Sequence, residues 1–266
     1  MRLRQFCTGN CMEPSRDLDR LGKALMSGEQ DPVFMDHSER MMRLGLSDGV
    51  VEAIAKEYES LRWGPTQVPI FNLLGLFMQI VPERREKYLS LARFLIESKV
   101  SVNGADLSGT TALSHSFSTK PGFDFEYAQI LYDAGGDVNN RNRFGATVAH
   151  EIVAVYDHQD KQVVSKAMKS LEWFLSRGGN MDIADGDGYS ARNMCKLVAS
   201  GISAFTRVIE EEEKLRQDKK DPCALCGRDD GKRLTCSRCK KAHYCSPNVR
   251  ACQKLDWPRH KKVCKA

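Results

Sequence analysis

Eight residues near the C-terminus have the types and spacing of metal ligands. They are Cys223, Cys226, Cys236, Cys239, Cys245, Cys252, His260 and Cys264, in the pattern C-x2-C-x9-C-x2-C-x5-C-x6-C-x7-H-x3-C. The last 44 residues hold seven of the ten cysteines. Eight thiolate and imidazole donors are what two closed tetrahedral zinc sites need. In a C-x2-C pair, two intervening residues let a tight turn aim both sulfurs at one ion. The segment has few apolar residues: Leu225, Leu234, Tyr244, Val249, Leu255, Trp257 and Val263. Such a core cannot offset the entropy of ordering the chain. Structural zinc, worth roughly 10–16 kcal/mol per ion, can. Spacing alone permits either a sequential or a crossed division of the eight ligands. His243 is a rival donor, although Cys245 fits the pattern better. Cys7, Cys11 and Cys195 lie outside the cluster and read as ordinary thiols.

The residues between the ligands carry a resemblance. Cys223-Ala-Leu-Cys226, Cys236-Ser-Arg-Cys239, Tyr244-Cys245-Ser246, Cys252-Gln253, Asp256-Trp257 and His260-Lys-Lys-Val-Cys264 resemble the MYND zinc finger. The resemblance implies a cross-brace. Cys223, Cys226, Cys245 and Cys252 would take one zinc, and Cys236, Cys239, His260 and Cys264 the other. It also implies that Gln253 and Trp257 line a groove for a short proline-containing peptide. The two residues are four apart, hence on one face if 252–260 is helical. The family usually has three residues between its fifth and sixth ligands. Here there are six, and Pro247–Val249 is the extra run.

Elements that would carry this finger lie upstream. The run Val68–Val81, VPIFNLLGLFMQIV, is too short to span a membrane and suits a buried helix. From there an internal repeat appears. Ala92–Gly109, Ala128–Gly145 and Leu171–Gly188 align without gaps. Each string has an apolar helix end, a turn, an apolar-polar pair (Val102-Asn103, Val138-Asn139, Met181-Asp182), and a glycine six residues later. Thr111, Thr147 and Ser190 are placed to cap the next helix. Gly135, Gly136, Gly178 and Gly179 fall where a helix ends and positive φ is needed. Leu95, Leu131 and Phe174 occupy equivalent core positions. This register resembles a degenerate ankyrin repeat, with His150 alone in the family's histidine position and an insert at Asp157–Gln162. Ile70–Gln79 with Arg85–Glu97 forms a first, poorly matching repeat.

The fold class expected is all-α: a degenerate ankyrin-like helical stack, followed by a small two-zinc cross-brace finger. The divisions expected are 1–66 (helical and irregular), 67–216 (repeats) and 217–266 (finger). In the first part Ser27–Asp36 reads as a loop. Ser47–Leu61 reads as a helix capped by Ser47, with Val50, Ile54, Tyr58 and Leu61 on one face. The repeat region is expected to fold without the finger.

Charge is uneven. Residues 214–266 carry 16 Lys and Arg against 5 Asp and Glu, within a chain of net charge +5. Zinc–thiolate sites absorb about three of these positive charges, which leaves a basic surface. The start, MRLRQFCTGN, carries no apolar stretch after its basic residues, so an intracellular location, nucleus or cytoplasm, is expected. In a reducing compartment clustered cysteines mean metal rather than disulfides. The function expected is a non-enzymatic adaptor. The finger would bind proline-containing peptides, the repeats a protein partner, and the chain no membrane. A nucleic-acid-associated regulator using the basic tail is one alternative. A remnant of a MYND-containing lysine methyltransferase is another.

Overall fold

The computed structural model describes residues 12–45, 48–117, 123–155, 157, 159–198, 203–217, 221–225, 233–245 and 250–265. It is mostly helical. Two compact units form: residues up to 116 together with 124–137, and residues 117–123 together with 138–266.

The first unit begins, after a single turn at Pro14–Asp17, with α1 (Arg20–Ser27), α2 (Gln30–Leu44) and α3 (Val50–Ser60). Helix α2 corrects the loop expected at Ser27–Asp36. The breaker there is Pro32, but it stands in the first turn of the helix. At that position its missing N–H has no intrahelical partner to lose. Asp19 caps α1 by accepting from the Gly22 N–H at 2.7 Å. Helix α3 buries Ile54 and Tyr58 as its periodicity requires. Gly49, not Ser47, precedes its first residue, and Ser47 lies outside the described residues.

The apolar run becomes α4 (Ile70–Ile80), with eight buried positions. It pairs with α5 (Arg85–Glu97), and α6 (Ala112–Ser116) pairs with α7 (Phe125–Asp133). Two polar bonds pin α4 among these helices. The Tyr127 hydroxyl donates to the Phe71 carbonyl at 2.6 Å, and Asn72 Nδ2 donates to the Thr110 carbonyl at 2.9 Å. The second unit contains α8 (Val148–Val153), α9 (Lys161–Ser176), α10 (Ala191–Val198) and α11 (Ser203–Gln217). Helix α9 packs on α8 and α11, and α10 on α8. Phe117, Phe123, Trp173 and Phe174 form its aromatic core, with Phe117 and Trp173 ring centroids 5.0 Å apart.

The repeat register survives as hydrogen bonding. Asp106, Asn142 and Asp185 each accept, through one side-chain oxygen, backbone N–H groups two and four residues ahead. Each then closes on a glycine of positive φ: Gly109, Gly145 and Gly188. Between loops, Asn103 donates to the Gly135 carbonyl and accepts from the Asp137 N–H. Asn139 repeats this on Gly178 and Asn180. Thr111 and Ser190 oxygens accept from N–H groups three residues on. Thr147 shares a capping box with His150. His150 is therefore structural: Nδ1 accepts from the Thr147 N–H, and Nε2 donates to the Tyr189 carbonyl, each at 3.0 Å.

One glycine expectation needs correction. Only the first of each pair has positive φ, Gly135 and Gly178, and Lys99 holds the equivalent left-handed position at φ 64. The second glycines serve close approach. A Cβ on Gly136 would stand 2.7 Å from the Leu131 carbonyl oxygen, and one on Gly179 would stand 2.4 Å from the Phe174 ring. Leu95, Leu131 and Phe174 are each fully buried. Leu131→Ala should therefore cost about 2–5 kcal/mol as a core cavity, read as a lowered denaturation midpoint of the helical signal.

Candidate metal centres

The finger is built from one antiparallel pair and one helix. Strand β1 (Arg233–Thr235) pairs with β2 (His243–Cys245) in the register Leu234↔Tyr244, and α12 (Arg250–His260) packs on β2. This small ladder is the exception to the all-α expectation. Between the strands the chain makes a tight turn at Cys236-Ser-Arg-Cys239. The Lys240 N–H donates to the Cys236 carbonyl at 3.0 Å, and Lys240 takes a positive φ of 57.

Two groups of donors converge. In one, Cys236, Cys239, His260 and Cys264 offer atoms all within 4.8 Å of one another. In the other, Cys223, Cys245 and Cys252 do the same. Cys226, the remaining member of that set, lies outside the described residues, as does Pro247–Val249. The fit to zinc can be tested on distances. Tetrahedral bonds of about 2.3 Å to sulfur place two sulfurs about 3.8 Å apart, and a sulfur and an imidazole nitrogen about 3.6 Å apart. The Cys236–Cys264 sulfurs are 3.8 Å apart, and Cys239 Sγ to His260 Nε2 is 3.6 Å. Cys236 Sγ to His260 Nε2 is slightly tighter, at 3.3 Å. These contacts are the edges of a coordination tetrahedron.

Electrostatics agree. The Cys239 N–H, the His260 ring and the Arg238 N–H favour the Cys236 thiolate and pull its thiol down to about 6. Burial pushes the neighbouring Cys264 thiol up, as do the adjacent sulfurs. Sulfurs this crowded cannot all ionise without a cation; a divalent ion removes the repulsion. His243 does not join either cluster. Its Nδ1 faces Thr235 Oγ1 at 3.3 Å, and its Nε2 lies 3.8 Å from Asp221. Burial raises the Cys195 thiol to about 11, in keeping with an ordinary cysteine, while Cys7 and Cys11 are outside the described residues.

Helix α12 spans both clusters. Cys252, Asp256 and His260 recur every fourth residue, so they share one face, and all three are buried. Asp256 is the residue the sequence reading missed. It is 1 % exposed, accepts from the Tyr244 hydroxyl at 2.7 Å and pairs with Arg259 at 2.7 Å. Arg259 also donates to the Ala224 carbonyl at 3.1 Å. The four-residue spacing from Cys252 and to His260 is the signal that could have found it. Trp257, one residue on, is 44 % exposed, and Gln253 is half-buried. The indole is thus not the anchor of this small domain. Only Leu225 and Tyr244 of the finger's own non-cysteine apolar residues are buried among those described, whereas Leu234 and Val263 are exposed.

Comparison with known proteins gives the same reading of this segment. Residues 223–264 match the family described as MYND finger. The C-terminal segment is a MYND zinc finger. It is a zinc-binding protein-interaction module, and its two Cys/His clusters can hold two zinc ions. The chain is 49 % identical over 196 residues to "Zinc finger MYND domain-containing protein 10 homolog" of Drosophila melanogaster, covering 73 % of this chain and 36 % of that protein. It is 48 % identical over 44 residues to "SET domain and MYND-type zinc finger protein 6" of Schizosaccharomyces pombe, covering 16 % and 8 %. It is 52 % identical over 42 residues to "Dauer abnormal formation protein 25" of Caenorhabditis elegans, covering 16 % and 10 %. The matched stretches span between about a twelfth and a third of these relatives' lengths.

Metal analysis of the purified chain should give two zinc ions, and Cys239→Ser should lower the content to one. Tyr244→Phe leaves every ligand in place but removes a bond to the buried Asp256 carboxylate. It should destabilise the finger by about 1–3 kcal/mol, seen as release of zinc at lower denaturant.

Proposed function

We propose that this chain is a non-enzymatic adaptor whose finger captures a proline-containing peptide through Trp257 and Gln253. The observation that carries the reading is the exposure of Trp257 on a helix whose adjoining face is tied to both metal clusters. A large indole left at the surface beside an amide, on a rigid support, suits an extended proline-rich segment. Such a segment is already stiff and loses little entropy on binding. Under the same reading the repeats form a degenerate ankyrin-like stack that offers a second protein-binding surface. The eight ligands would divide as the crossed pattern has it, with Cys226 completing the first site.

Non-catalytic chemistry fits the centres. Four protein donors surround the Cys236–Cys264 cluster, whereas a catalytic zinc keeps a position for water or substrate. The match to the SET-domain protein covers only 44 residues, so a methyltransferase remnant has the weaker support. No helix among the described residues is long and apolar enough to cross a membrane. We place the protein inside the cell, where thiols stay reduced.

A second reading has its own observation. Arg238, Lys240, Lys241, Lys254, Lys261 and Lys262 are exposed on the finger, which suits an acidic partner such as nucleic acid. Titration separates the two. With a proline-rich peptide, Trp257→Ala should weaken binding at least tenfold with both zinc ions retained, and affinity should vary little with salt. Binding that instead falls steeply with salt and ignores Trp257 marks phosphate contacts. Loss of zinc in the variant would make Trp257 a structural residue and remove the basis for the groove.

A further inference from the structure

The finger draws one buried apolar residue from outside itself. Ile183, in the third repeat loop, is 6 % exposed and clusters with Cys223, Leu225, Cys236, Tyr244, Cys252 and Cys264. The equivalent positions in the other two loops hold Gly104 and Asn140, neither apolar in the same sense. At this position an apolar side chain appears only in the loop that meets the finger.

A polar contact runs beside it. Asn103 and Asn139 each reach to the loop that follows. Asn180, on the third loop two residues before the position equivalent to Asn103 and Asn139, bonds on both sides: its N–H donates to Asn139 Oδ1 at 2.8 Å and its Nδ2 donates to the Leu225 carbonyl. Leu225 lies between Cys223 and Cys226 in the sequence. The finger is thus joined to the third loop by one polar bond and by buried apolar surface. Its own core is too poor in apolar surface to stand without metal, so a borrowed isoleucine is a large part of what it buries.

We propose that the zinc-loaded finger and the last repeat form one energetically coupled unit, joined at Ile183 and Asn180. Zinc binding fixes the Cys223–Leu225 segment and so stabilises the third loop and the helices on either side. By reciprocity, an intact third loop tightens zinc binding by the same factor. The expected division at 217 is then one of composition and metal chemistry, and the repeat region does not ignore a chelator as its sequence suggests.

Hydrogen exchange on the full-length protein tests this. Removing zinc with a chelator should speed exchange in α9 and α10 on the order of tenfold, within the usual range of coupling. Exchange in α4 and α5 should stay unchanged. Ile183→Asn, which installs the residue found at 140, should release zinc several-fold faster to a colorimetric chelator and abolish the zinc-dependent part of the protection. Ile183→Leu should restore both. Asn180→Ala provides a second variant should Ile183→Asn fail to fold. Exchange in α9 and α10 that is the same with and without zinc overturns the proposal. So does an Ile183→Asn chain that is equally destabilised in both states and keeps the wild-type zinc release rate, because Ile183 then belongs to the repeat core alone.

Discussion

The finger depends on sulfurs held closer than their charges allow. Sulfur–sulfur and sulfur–nitrogen separations of 3.8 and 3.6 Å are comfortable around a zinc ion and unfavourable without one. Everything else in the segment follows from that constraint. The tight turn at Cys236–Cys239 exists to aim two sulfurs inward. A parallel bridge between Cys223 and His243 brings Cys245 beside Cys223, and α12 hands one ligand to each cluster. Because metal supplies the stability, the surface is free to be polar and basic, and Leu234, Trp257 and Val263 can remain outside.

The repeats solve the opposite problem by ordinary means. Their stability comes from apolar positions in register and from loops that all use one hydrogen-bonding scheme. An oxygen at 106, 142 and 185 closes each turn, and a positive-φ residue ends each preceding helix. Lys99 accepts a strained backbone where its counterparts are glycine. Side-chain amides then bond from loop to loop, so that successive layers are joined by directed contacts as well as burial. The last of these contacts, from Asn180, reaches the finger. Metal-held and core-held parts of the chain thereby meet at a polar bond and one isoleucine.

Helix α12 links structure to function most directly. Its inward face carries Cys252, Asp256 and His260; the adjoining strip carries Gln253 and Trp257. A buried carboxylate bonded to Tyr244 and Arg259 keeps the helix from rolling, which keeps the indole presented to solvent. Rigidity of this kind favours capture of a stiff ligand, since neither partner has much freedom to lose.

By itself the sequence determined the metal chemistry and most caps, because these rest on spacings of two to four residues that local geometry alone interprets, and the helical repeat register, because the same string recurs along the chain. Cys236 and Cys239, and Thr147 with His150, act within one or two turns of chain. The apolar run at 68–81 was legible as a buried helix for the same reason. The paired glycines misled because close packing demands glycine as readily as positive φ does. Tertiary structure alone decided that Ile183 sits in the finger's core and that Asn180 bonds to Leu225. Those facts depend on which surfaces meet across forty or more residues of chain, and no local pattern encodes that meeting.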